Sequence, residues 1–139
     1  MKIEPYLFFD GHCEEALRFY EQALGATVTM LMRFRENPDA PPGSIPPDAE
    51  DKIMHCVVKI GDSTVMASDG MNSGQPRFQG ISLSLNFPTV ADAQRAFQAL
   101  EPGGQVQMPF GSTFFSPGFG MVADKFGVSW MILTDPPAA

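Results

Sequence analysis

In this chain of 139 residues, His55 is the side chain best suited to proton chemistry. Its unperturbed pKa lies near neutrality, so it can give or take a proton at physiological pH. It stands in the run Ile53 to Ile60, IMHCVVKI, which reads as a strand. The plainer reading of a lone strand histidine is a hydrogen-bonded packing residue; the sharper one is a general acid or base, or a ligand anchor. Pairing across the next turn puts Ser68 opposite it, where a hydroxyl would orient the ring. No carboxylate is placed to complete a triad. His12, at a helix start, reads as a cap or an exposed residue. A second polar set is Ser82, Ser84 and Asn86, alternating with Leu83, Leu85 and Phe87. That pattern serves a half-exposed sheet or the wall of a pocket.

These groups need elements to hold them. Tyr6 to Phe9 reads as a short buried strand that ends at Asp10-Gly11. A helix is predicted over Cys13 to Leu24, with Cys13, Ala16, Leu17, Tyr20, Ala23 and Leu24 on one stripe. Glu14 and Glu15 favour its first turn, and Gly25 stops it. Thr27 to Phe34 is the next strand. Glu36 to Asp51 holds five prolines and five acids and reads as a long flap or disordered loop.

Ile53 to Ile60 and Ser63 to Ser68 form a hairpin through Gly61-Asp62, in the Gly-X pattern of a type II′ turn. Alternation puts Ile53, His55, Val57 and Lys59 on a mixed face. Met54, Cys56, Val58, Ile60, Val65 and Ala67 then make a dry one. Asp69 to Gln79 has turn composition and reads as a linker. The order then restarts: a strand from Ser82, and a helix capped by Thr89 with Asp92, carrying Val90, Ala93, Phe97 and Leu100. A short strand follows from Gln105 to Met108. The aromatic loop Phe110 to Gly118 comes next, then a hairpin of Met121 to Ala123 with Val128 to Thr134. Each half thus reads strand, helix, three strands. Sliding one half onto the other lays Ala16 on Ala93, Arg18 on Arg95 and Tyr20 on Phe97. Two such units, each covering one sheet face, predict a single α+β domain over residues 1–139. Module one spans about 1–69, a linker about 70–79, and module two about 80–135.

Composition narrows the function. Hydrophobic residues make up 44 %, enough for a core. The net charge of -7 argues against nucleic acid and anionic membrane as partners. No apolar run approaches the roughly 18–20 residues of a membrane span, and the N-terminus lacks the shape of a signal peptide. Cys13 and Cys56 read as reduced thiols of a cytoplasmic protein. The nine methionines suit an adaptable apolar surface. Arg33, Arg35, Lys59 and Arg77 are scattered, and neither a phosphate loop nor a Rossmann glycine fingerprint is present.

Three segments, PYLFFDGHCEEALRFYEQALGA, KIMHCVVKIGDSTVMASD and GMVADKFGVSWMI, resemble PhnB-like members of the vicinal oxygen chelate superfamily. That superfamily includes glyoxalase I, extradiol dioxygenases, and bleomycin and fosfomycin resistance proteins. The resemblance implies two βαβββ modules forming a half-open, mostly antiparallel barrel, usually in a homodimer. In metal-dependent relatives, His, Gln or Glu from the first and last strand of each module hold a divalent ion. The matching positions here are Pro5, Ser82, Met66 and Met131, or Val65 and Ile132 after a slip of one. None is a sound ligand for Zn, Ni, Mn or Fe(II), so no cofactor is expected.

The reading that follows is a metal-free binder of a small, partly apolar molecule. Its cup would be lined by Pro5, Leu7, His55, Met66, Ser68, Ser82, Ser84, Asn86 and Met131. One alternative is a metal-independent lyase or isomerase with His55 as acid or base. Another is a divalent-metal-dependent enzyme of the glyoxalase type, which the ligand positions disfavour.

Overall fold

The structure, a computed structural model, describes residues 1–70 and 75–135. Part of the expected linker (71–74) and the prolines after the closing hairpin lie outside the described residues. The chain divides into two compact units, Met1–Arg77 and Phe78–Ala139.

The first unit runs β1 (Tyr6–Phe8), α1 (Cys13–Leu24), β2 (Thr27–Arg33), a 3₁₀ turn (Phe34–Glu36), β3 (Ile53–Ile60) and β4 (Ser63–Ser68). The second runs β5 (Leu83–Phe87), α2 (Val90–Leu100), β6 (Gln105–Gly111), β7 (Phe119–Ala123) and β8 (Ser129–Thr134). Both sheets have the same order, β1-β4-β3-β2 and β5-β8-β7-β6. In each, the first strand pairs in parallel with the last and the other pairs are antiparallel. This is an α+β fold of two βαβββ modules.

Helix α1 forms where the apolar stripe dictates. Cys13, Ala16, Leu17 and Tyr20 are buried, and the Gly25 cap adopts φ 67°, a left-handed conformation that glycine takes at little cost. Ala23 and Leu24, expected on the stripe, are half-buried at the helix end. In α2 the buried set is Ala93, Ala96, Phe97 and Leu100. Thr89 Oγ1 accepts the Asp92 amide at 3.2 Å. Val90, placed on that stripe from the sequence, is 39 % exposed at the helix start. The two buried sets share one spacing, with Cys13 matching Ala93, Ala16 matching Ala96, Leu17 matching Phe97 and Tyr20 matching Leu100. The alignment that lays Ala16 on Ala93 is therefore about one helical turn out of phase.

Gly120 shows how closely α2 lies on its sheet. A Cβ there would stand 2.8 Å from a ring carbon of Phe97. Under β8, Trp130 is 2 % exposed and donates its indole N–H to Asp124 at 2.9 Å. Asp124 also accepts the Phe126 and Val128 amides, which closes the β7–β8 turn.

Asp69, read from the sequence as the start of a linker, is a buried clamp at 1 % exposure. One of its oxygens accepts the Gly11 and Cys13 amides, both at 2.8 Å, and the other accepts the Ile53 amide at 2.6 Å. It joins the end of β4 to the start of α1 and of β3. The first-turn carboxylate of Glu14 receives two bonds from Arg33, at 3.2 and 2.8 Å. That hydrogen bonding and the guanidinium charge hold the Glu14 carboxyl below its usual range and raise Arg33.

The hairpin register pairs Val57 with Met66 and Lys59 with Thr64. Gly61 has φ 58°, as the first central residue of a type II′ turn requires. Ile53 departs from the expected mixed face: it is fully buried. The cause is an extra residue, Met54, where β2 steps from Arg33↔Ile53 to Met32↔His55. A bulge reverses the parity of the strand beyond it. The proline-rich segment is a series of tight turns with a closed base. Phe34 and Arg35 donate their amides to Lys52 and Glu50, and Arg35 pairs with Asp51 at 2.7 Å.

Candidate functional site

Alternation along β1 decides which residues reach the face of the first sheet turned away from α1. Leu7 is 3 % exposed and Phe9 1 %, so both face the core. The expectation that Leu7 lines a cup is therefore corrected. Tyr6 and Phe8, at 37 % and 54 % exposure, occupy the open face instead. Pro5 is half-buried at the strand's start, and its carbonyl accepts the Met66 amide at 2.9 Å. Its contribution is to the backbone ladder.

His55 shares that open face. Tyr6 Oη lies 3.0 Å from His55 Nδ1, and the two rings stack with centroids 5.6 Å apart. Phe8 also stacks on Tyr6, with centroids 4.9 Å apart. Tyr6 pairs directly with Met66 across the parallel ladder, and Met32 pairs with His55 across the antiparallel one. Tyr6 thus joins three rings beside two thioethers, with a hydrogen bond fixing the imidazole. Ser68, expected to orient His55, is 3 % exposed, and its Oγ accepts the Gly70 amide at 3.1 Å. The hydroxyl on the imidazole belongs to Tyr6. With Nδ1 engaged, Nε2 is the nitrogen that remains for a ligand or a proton.

The second sheet presents different chemistry on the face away from α2. Ser84 lies opposite Met131 in the parallel ladder, while Trp130 and Ile132 point into the core. Ser84 donates to Asn86 Oδ1 at 3.3 Å, and Asn86 donates to Asp135 at 3.4 Å. Ser82 and Ser129 hydroxyls are 2.7 Å apart, and Ser129 donates to Gln107 Oε1 at 2.8 Å. So Ser82, Ser84 and Asn86 belong to two short polar chains, not to separate exposed positions.

Tyr6, Gln107, Ser129 and Asp135 are site-face residues that the sequence reading did not single out. For Tyr6 the sequence carries no deciding signal, because a three-residue strand does not show which parity meets the helix. Gln107 is the extra residue of a bulge between Val106↔Val122 and Met108↔Met121, which periodicity does not reveal.

The metal question turns on donors. Val65 and Ile132 are 8 % and 0 % exposed on the helix sides of their sheets, so Met66 and Met131 are the last-strand residues on the open faces. Thioethers, a serine hydroxyl and a proline are not ligands for Zn, Ni, Mn or Fe(II). Among the described residues, no three of His, Cys, Asp and Glu stand together in a way that could hold a metal ion. The residues present do not fit the divalent site of the metal-dependent enzymes.

Comparison with known proteins agrees with this architecture. The profile of the Glyoxalase/Bleomycin resistance protein/Dioxygenase superfamily matches residues 2–132. Protein YjdN of Escherichia coli (strain K12) is 38 % identical over 140 aligned positions, covering 95 % of this chain and 94 % of that protein. The crystal structure of protein PA1353 from Pseudomonas aeruginosa superposes with a TM-score of 0.84 at 42 % identity, over 97 % of this chain and 98 % of that one. The PhnB protein from Bacillus cereus superposes with a TM-score of 0.77 at 28 % identity, over 96 % and 99 %. A fold of two βαβββ modules, a family match over residues 2–132 and a PhnB structural neighbour make this protein a member of the glyoxalase/bleomycin resistance/dioxygenase superfamily.

Proposed function

We propose that this protein binds a small, partly apolar molecule without the help of a metal, and that Tyr6 and His55 form the centre of the binding face. The observation that carries the reading is the Tyr6 Oη to His55 Nδ1 bond at 3.0 Å, with the Tyr6 ring stacked on both His55 and Phe8. An exposed aromatic cluster offers a flat apolar contact. The fixed imidazole beside it offers one directional hydrogen bond, the usual combination in small-molecule sites. Met66 and Met32 add a polarizable border that adapts to shape. The face formed by Ser82, Ser84, Asn86 and Met131 suits hydrogen-bonding groups. Pro5 contributes backbone only.

The test is native mass spectrometry of freshly purified protein, a metal assay on the same sample, and a calorimetric screen of planar heterocyclic and aromatic compounds. Tyr6→Ala is expected to weaken any compound found by at least about tenfold, from lost stacking and one hydrogen bond. Stoichiometric, tightly held Zn, Ni, Mn or Fe would defeat the reading, as would binding indifferent to Tyr6→Ala and His55→Ala.

A second reading has one observation in its favour. The Tyr6 bond to Nδ1 orients His55 as a general acid or base is oriented, so a metal-independent lyase or isomerase is the rival. His55→Gln separates the two: turnover lost with binding kept marks an enzyme. A homodimer and a cytoplasmic setting complete the proposal. Light scattering tests the first and fractionation the second. Among the described residues, no helix is long and apolar enough to cross a membrane.

A further inference from the structure

Cys13 opens α1 and Cys56 stands in mid-β3, on the face beneath that helix. Their sulfurs are 3.9 Å apart and neither side chain is accessible to solvent. We propose that these two thiols are a modification site, which hydrogen peroxide converts to an intramolecular disulfide fastening the start of α1 to the centre of the first sheet.

The geometry favours pairing within the chain. A disulfide needs the sulfurs at about 2.05 Å, so closure asks for roughly 1.9 Å of approach, shared between two side chains already in contact. Cys56 Sγ gives up its bond to the Ala67 carbonyl, at 3.3 Å, when it turns.

The two sulfurs take different parts. The hydrogen bond with Cys56, and then burial, raise the Cys13 thiol, while the same bond lowers Cys56. Cys56 therefore loses its proton first. Its thiolate attacks one peroxide oxygen, the O–O bond breaks, and the hydroxide released takes up that proton as water. The sulfenic acid formed is then attacked by the Cys13 sulfur, whose own proton leaves with the OH as a second water. Two thiols and one peroxide become one disulfide and two waters. A sulfenic acid formed at this depth has its resolving thiol in contact, which protects it from further oxidation.

Peroxide enters by opening of the first helical turn. His12, at the N-cap, makes no side-chain capping bond to the backbone, and its contact in that turn is with the exposed Glu15 carboxylate at 3.5 Å. Asp69 still holds the Cys13 amide, so opening is infrequent and oxidation slow.

The test treats the reduced full-length chain with hydrogen peroxide, blocks free thiols with N-ethylmaleimide, and maps unreduced peptides by mass spectrometry. The expected product is a monomeric link between the Cys13 and Cys56 peptides, about 2 Da lighter than the two thiols and reversed by dithiothreitol. Thermal unfolding should shift up by about 5 °C or more, since the link closes a long loop. Cys13→Ala and Cys56→Ala should each abolish both changes. Recovery of both residues as maleimide adducts, as sulfinic or sulfonic acids, or in links between chains overturns the proposal. The wild-type map decides even if a variant folds poorly.

Discussion

Replacing Asp69 by Asn would change one atom of a side chain that joins three backbone amides. In the native protein Oδ1 accepts from Gly11 and Cys13 at 2.8 Å each, and Oδ2 accepts from Ile53 at 2.6 Å. Asparagine keeps one acceptor oxygen and places an NH₂ at the other position. If the oxygen stays with Gly11 and Cys13, the Ile53 amide faces a donor and loses its bond; if the group flips, two amides lose theirs. One buried N–H left without a partner costs about 1–3 kcal/mol. The surviving bonds also lose their charge assistance, about 0.5–1 kcal/mol each. The expected total is about 3–4 kcal/mol, a large share of the roughly 5–15 kcal/mol that stabilises a domain. Urea unfolding followed by far-UV circular dichroism should show the midpoint falling with the slope unchanged. Hydrogen exchange should report faster opening at Gly11, Cys13 and Ile53. A loss below about 1 kcal/mol would refute the reasoning, because it would mean that water replaces the carboxylate at no cost.

Further outcomes can be checked alongside. Glu14 has its carboxyl depressed by Arg33, so its stabilisation is present above the ordinary carboxylate range and fades as pH falls through the lowered value. Glu14→Gln should cost at most about 1 kcal/mol near neutrality, because the pair is partly exposed, and should flatten the acid limb of a stability-versus-pH curve. Tyr6→Phe keeps the stack on Phe8 and His55 but removes the bond to Nδ1. It should weaken ligand binding about 3–10-fold by calorimetry, with Tm little changed. Gly120→Ala pushes a methyl against the Phe97 ring and should lower stability by about 1–3 kcal/mol in thermal unfolding. Trp130→Phe removes an indole N–H from Asp124 and should cost about 1–3 kcal/mol in urea.

Much of the fold was legible because local signals agreed with the tertiary demand. The Cys13–Leu24 helix, the β3–β4 hairpin and the Thr89 cap all fall where periodicity, a Gly-X turn and a capping hydroxyl place them. Errors arose where one residue shifts parity. Met54 is an extra residue in β3, so Ile53 turns inward although it is two positions from His55. On β1 the choice between Pro5-Leu7 and Tyr6-Phe8 depends on which set meets the helix, and so short a strand carries too little pattern to decide it. Asp69 was hidden for another reason. Its three bonds reach Gly11, Cys13 and Ile53, all distant in sequence, while its neighbours have turn composition. The β6 strand runs to Gly111, beyond the expected Met108, because an edge strand tolerates Pro109.

The internal repeat, read from strand register, sharpens the functional argument. Tyr6 stands to Met66 as Ser84 stands to Met131, each pair side by side in a parallel ladder. The stretch of chain between the paired strands is longer in the first module than in the second, and loops of unequal length absorb the difference. The four positions facing outward are then two hydroxyl-bearing residues and two thioethers. Hydroxyls give directional hydrogen bonds and methionines give soft contact, but neither matches the imidazole or carboxylate that a hard or borderline divalent ion needs. In each module, then, the outward pair on the first and last strands offers no ligand suited to such an ion. What each open face does offer, directional hydroxyls and soft apolar contact, is what the proposed metal-free binder needs.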